Sequence, residues 1–131
     1  MSEHSRQRTK AELETEDDLR AMTAHLAEVM VATDAFGHVT FRVADKPFVF
    51  LGSDEGGVSI STKTAKEDQD RLIATGPYTK TPYIGRHGWV SFNLNDVDWV
   101  EVEERVLESY WRAAPRRLIR AHEKALIESE G

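Results

Sequence analysis

Residues 82–120 read PYIGRHGWVSFNLNDVDWVEVEERVLESYWRAAPRRLIR, and this stretch decides the fold. In WVSFNL, residues 89–94, the side chains of Val90, Phe92 and Leu94 alternate with Trp89, Ser91 and Asn93. A period of two is the mark of a strand with two unlike faces. If the first set packs on helices, Trp89, Ser91 and Asn93 lie on the open side of a sheet. From Asp98 the period lengthens: Trp99, Val102, Val106 and Tyr110 recur at helical spacing, with Leu107 beside them. Asp98 followed by Glu101 is an acidic form of the capping box. Pro115 permits a new helix, because a first helical position needs no amide donor. That helix carries Leu118, Ile119, His122, Ala125 and Leu126.

Working back towards the N-terminus, residues 1–14 are polar and aperiodic, which predicts a flexible tail ahead of one domain over 15–131. Thr15 with Asp18 predicts the start of a helix whose apolar stripe is Leu19, Met22, Leu26, Val29 and Met30, ending near 34–37. In HVTFRV, residues 38–43, Val39, Phe41 and Val43 alternate with polar neighbours. A turn at Asp45–Lys46–Pro47, a strand over 48–51, a turn over 52–57 and a strand over 58–62 complete an antiparallel meander. Thr64 and Glu67 predict a capped short helix that Gly76–Pro77 stops. The segment from Tyr78 to Gly88 has room for a very short strand at most. The order α-β-β-β-α-β-α-α predicts an α+β fold of two layers, an antiparallel sheet with helices packed on one face.

Composition excludes several functions. At 131 residues the chain is long enough to bury a core without disulfides or a structural metal, and it has no cysteine for a thiolate site. No apolar run is long enough to cross a membrane, and residues 1–18 have no apolar stretch of signal-peptide type, so a cytoplasmic protein is expected. The five histidines are scattered without metal-ligand spacing, so neither metal nor cofactor is expected. No GxSxG turn surrounds Ser59, Ser61, Ser91 or Ser109, and the glycines form neither GxGxxG nor a phosphate-binding loop. No catalytic constellation emerges, and an enzyme is not expected. A small-molecule cleft between the 78–88 loop and the sheet is the least favoured reading.

The net charge is −6, which argues against a global attraction to nucleic acid. Locally the sign reverses: residues 109–124 hold Arg112, Arg116, Arg117, Arg120 and Lys124 against Glu123 alone. Arg116, Arg120 and Lys124 fall on one helix face, and Lys80, Arg86 and His87 extend the patch if folding gathers them. The bland alternatives are a helix dipole complemented by its cations and a pairing of Arg112 and Arg116 with Glu108.

The chain resembles the MmcQ/YjbR family. Pro82 in the loop, Trp89–Val90 opening the strand, Leu94 closing it and Ser109–Tyr110 in the next helix carry the likeness. Lys46–Pro47–Phe48 and VSISTK, residues 58–63, add to it, so it spans roughly residues 16–120. Where the family often has a Lys or His before the tryptophan, this chain has Arg86–His87–Gly88. The resemblance implies a two-layer fold of CyaY-like or secretion-chaperone-like type and a DNA-binding role through a double wing of hairpins. Double-stranded DNA is thus the first expected partner, met by Lys80, Arg86, His87, Arg112, Arg116, Arg120 and Lys124 in weak, phosphate-directed binding. The second is a protein or peptide on the open sheet face at Trp89, Ser91 and Asn93.

Overall fold

The computed structural model describes residues 8–35 and 37–130. The strands are β1 (Val29–Thr33), β2 (Val39–Val43), β3 (Lys46–Asp54), β4 (Gly57–Lys63), β5 (Tyr78–Lys80) and β6 (Trp89–Asn93). They form one six-stranded antiparallel sheet in the order β1-β2-β3-β4-β6-β5. The helices are α1 (Lys10–Thr23), α2 (Lys66–Thr75), α3 (Trp99–Ala113) and α4 (Arg116–Glu130). The α+β class is as the sequence predicts, with one strand more in the opening meander and the short β5 added at the far edge.

The extra strand is β1, which the periodicity assigns to the first helix. That helix ends at Thr23, and Glu28 then takes φ +60 and turns the chain into the sheet. Val29 and Met30 belong to a strand, and Met30 stays exposed. The helix also starts earlier than Thr15 suggests: Thr9 is its N-cap and accepts a hydrogen bond from the Glu12 amide at 3.1 Å. Residues 10–14 are therefore helical and not tail, while residues 1–7 lie outside the described residues. The β2–β3 turn is made by Ala44 and Asp45, both at positive φ, so Lys46 and Pro47 open the strand instead of forming the turn.

The core lies between the sheet and α1 and α3, with α2 closing the β5–β6 edge. Phe41, Phe48 and Tyr110 make consecutive edge-to-face contacts at its centre, with ring centroids 6.3 and 5.3 Å apart. Leu51, Ile60 and Phe92, at one level of three neighbouring strands, are buried around them. Trp99, predicted on this face of α3, is partly exposed.

Polar pins cross the layers. Ser109 of α3 donates to the Phe48 carbonyl at 2.7 Å and accepts from the Lys63 amide at 2.9 Å. Tyr110 donates to the Ala27 carbonyl at 2.7 Å, and the buried Gln69 donates to the carbonyls of Gly85 and Trp89 at 2.6 and 3.0 Å. Asp98 caps α3 by accepting from the Glu101 amide at 2.9 Å, as predicted. Thr64 does not cap α2, because its hydroxyl donates to Glu108 instead.

On α1 the buried Glu16 accepts from Arg8 at 2.5 Å and from Arg20 at 2.8 Å. Burial pushes its carboxyl up, but the hydrogen bonds and charges of the two guanidinium groups outweigh burial and hold it below the ordinary value. A depressed carboxyl stabilises the fold above its unfolded pKa, and that stability is lost as pH falls through the folded one. Urea midpoints should therefore fall as pH drops through and below the ordinary carboxylate range. Glu16→Gln should flatten that acid limb and leave the neutral-to-alkaline trend unchanged.

Candidate functional site: a basic end on an acidic protein

Antiparallel pairing decides which loops and strand ends share an end of the sheet. Lys46 opens β3, Lys63 closes β4, Lys80 closes β5 and Trp89 opens β6, so all four lie at one end. The Gly85–His87 3-10 turn precedes Trp89 there, and Lys66 at the start of α2 donates to the Arg86 carbonyl at 2.7 Å. Ser109 ties the last turn of α3 to β3 and β4 at the same end, which brings in Arg112 and then Arg116 after Pro115.

Gly88 makes the close approach of these segments possible. It takes φ +99, and a Cβ on it would stand 2.5 Å from the Thr64 carbonyl oxygen. Its own carbonyl accepts from the Thr64 amide at 2.9 Å, which joins the end of β4 to the turn that carries Arg86 and His87.

Most of the cations away from this end are ion-paired, and most of those at it are not. Arg8, Lys10, Arg20, Arg71, Arg105, Arg112, Arg117 and Lys124 each meet a carboxylate. Lys46, Lys63, Lys66, Lys80, Arg86, Arg116 and Arg120 make no salt bridge among the described residues, and all of them except Arg120, further along α4, stand at this end. Arg42 lies there too, with its guanidinium bound only to the Asp45 carbonyl at 3.0 Å. Arg117 is neutralised by a bidentate pair with Glu28 at 2.5 and 2.7 Å.

The opposite end is acidic, with Asp34 just after β1, Asp54 and Glu55 at the β3–β4 turn, and Asp96 and Asp98 before α3. The two ends are separated by β3, roughly 27 Å at the usual strand rise. That is about three Debye lengths at physiological salt, so the acidic end does not cancel the basic one.

The structure thus gathers Lys80, Arg86, His87, Arg112 and Arg116 at one end, with Arg112 held by Glu108 at 3.5 Å. Arg86 donates to His87 Nε2 at 3.3 Å. Arg120 and Lys124 lie further along α4, where every residue from 120 to 130 is exposed, and Lys124 pairs with Glu128. Sequence reasoning missed Arg42, Lys46, Lys63 and Lys66. The signal lies in topology, since these residues are distant in sequence and only strand pairing aligns them.

On the other face, Trp89 does point to the open side with Ser91 and Asn93, but it is not available to a partner. It is only 6% exposed and packs against Phe50, with ring centroids 5.1 Å apart. Ser91 lines a cleft, and Asn93 is engaged with Asp54 at 3.1 Å. Among the described residues no cluster of three or more His, Asp or Glu is placed to hold a metal ion, and no helix is long and apolar enough to cross a membrane.

The class defined by this arrangement is an α+β domain with one antiparallel sheet, helices on one face and an unpaired basic rim. The YjbR family model matches residues 25–112, and the chain belongs to that family. Two crystal structures share the fold. Protein DR2400 of Deinococcus radiodurans, with a DUF419 domain, is 19% identical with a TM-score of 0.64, over 72% of this chain and 75% of that one. A Pseudomonas syringae protein is 13% identical with a TM-score of 0.62, over 74% of this chain and 97% of that one. None of the curated proteins matches the sequence.

Proposed function

We propose that this YjbR-family domain is a non-catalytic docking module that grips the phosphate backbone of duplex DNA with the basic end of its sheet. The observation that carries the reading is the segregation of unpaired cations. Lys46, Lys63, Lys66, Lys80, Arg86 and Arg116 share one end, while most other cations are consumed by local ion pairs. Across six strands at about 4.8 Å spacing, that end is roughly 24 Å wide, enough to meet several successive phosphates.

Four of these six cations are lysines, which present charge without a planar fork fixed for base edges, so binding is mainly phosphate-directed and largely indifferent to sequence. The peptide-binding alternative is weakened by the burial of Trp89 against Phe50.

Anisotropy titrations of a labelled duplex at several salt concentrations test the proposal. The logarithm of the association constant should fall linearly with the logarithm of salt, with a slope of about −3 to −5 for about four to five neutralised phosphates. Duplexes of unrelated sequence should bind within a few-fold of one another. Affinity indifferent to salt, or no binding at low salt, would remove the proposal.

A further inference from the structure

The open face of the sheet carries a cleft of about 540 Å³ that the basic end does not use. Its floor is built from β3, β4 and β6: Phe50, Gly52, Ser59, Ser61 and Ser91. One wall is Thr81–Pro82–Tyr83, and the other is His38 with Asp34, whose side chains lie 3.4 Å apart. We infer that this cleft is a binding site for a small polyhydroxylated molecule, neutral or amine-bearing and about the size of a monosaccharide.

Three observations select that chemistry. The first is a chain of hydroxyls, with Ser61 Oγ 2.7 Å from Ser91 Oγ and Ser91 Oγ 2.9 Å from Thr81 Oγ1. Three hydroxyl protons serve two bonds within the chain, so one donor remains at an end, and reversing the chain moves it to the other end. A ligand hydroxyl, itself both donor and acceptor, suits either direction. Fixed strands hold two of the three groups, so little side-chain entropy is lost on binding.

The second observation is charge. The described lining contains the carboxylates of Asp34, bound to His38, and Asp54, bound to Gly56 and Asn93, and no Lys or Arg, so its charge disfavours an anion and tolerates a neutral or amine-bearing ligand. The third is the aromatic pair that bounds the space. Phe50 is braced from the side by Trp89, whereas Tyr83 is 96% exposed at the rim and is held at φ +67. A bulky side chain in the left-handed region costs stability, and the fold keeps it beside the cleft mouth, where its ring can close over the apolar face of a sugar.

Gly52 leaves the space between these walls open, because a Cβ there would stand 3.2 Å from His38 Cδ2. The cleft volume lies within the range of small-molecule sites.

The test is an amide-shift NMR titration of the full chain with glucose, glucosamine and glucose 6-phosphate as probes. The expected result is saturable shifts at Ser59, Ser61, Thr81, Tyr83 and Ser91 with the first two probes, and much weaker binding of the phosphate. Ser91→Ala, which breaks the hydroxyl chain, should lower affinity about tenfold. Gly52→Ala should lower it by narrowing the cleft. Tyr83→Gly separates structural from binding roles: it should raise the thermal midpoint by relieving the backbone while weakening the sugar.

The inference fails if none of the three probes gives saturable shifts in this cleft. It also fails if the phosphate is preferred, or if Ser91→Ala binds as the parent does while keeping a folded spectrum. Loss of DNA binding leaves it untouched, since the two sites share no side chain.

Discussion

Replacing Ser109 by valine is expected to cost the fold roughly 2–4 kcal/mol, the penalty for orphaning two backbone groups in a buried site. Ser109 is 1% exposed, and its hydroxyl both donates to the Phe48 carbonyl and accepts from the Lys63 amide. Valine fills the space but satisfies neither group. The measurement is urea unfolding, with a lower midpoint at unchanged slope.

Thr62 on the adjoining strand supplies the control, because its buried hydroxyl has no hydrogen-bond partner among the described residues. Thr62→Val removes an unsatisfied group and should be neutral or stabilising by about 1 kcal/mol. Equal losses for both variants would show that volume and not hydrogen bonding governs this layer. The Ser109–Tyr110 pair that carries the family likeness thus has a structural explanation: one residue pins α3 to β3 and β4, and the other pins it to Ala27 ahead of β1.

The second large effect concerns the basic end. Reversing Lys63, Lys66 and Arg86 to glutamate should weaken duplex binding on the order of 100-fold at low salt and flatten the salt slope by about 3. The three residues sit on the end of β4, the start of α2 and the turn before β6. Each is on the surface or half-buried, so the fold should survive, which an unchanged thermal midpoint would verify. Arg120→Glu with Lys124→Glu should change affinity by less than about threefold, because Lys124 is already paired with Glu128 and both residues lie on the exposed later part of α4, outside the strand ends and turns that carry the other cations. If the α4 pair proved the more damaging, the docking surface would run along that helix.

Much of the fold is legible in the sequence. The alternation in residues 39–43, 58–62 and 89–93 yields strands in place, and the Asp98 cap marks the start of α3 to the residue. β1 is hidden because Met22, Leu26, Val29 and Met30 happen to continue a helical spacing across a turn at Glu28. The usable signal is the alternation of β-branched Val29, Val31 and Thr33, which favours a pleated strand. Trp89 shows a different limit, since alternation fixes which face a side chain takes but not whether a neighbour such as Phe50 covers it.

The candidate site was half legible. Arg86, Arg112 and Arg116 stand out as charges, but their alignment with Lys46 and Lys63 depends on strand order, which local periodicity does not encode. Conversely, the stripe Arg116, Arg120 and Lys124 is real on α4, yet only Arg116 stands beside the strand ends and Lys124 is taken up by Glu128.

The most direct measurement is an amide-shift footprint of a short duplex on the isotope-labelled chain at low salt. Saturable shifts are expected at Lys46, Lys63, Lys66, Lys80, Arg86 and Arg116 that collapse as salt is raised, with none at Asp54, Glu55 or Asp96. Shifts centred on the acidic end or confined to the distal half of α4, or a spectrum that DNA leaves unchanged, would contradict the proposal.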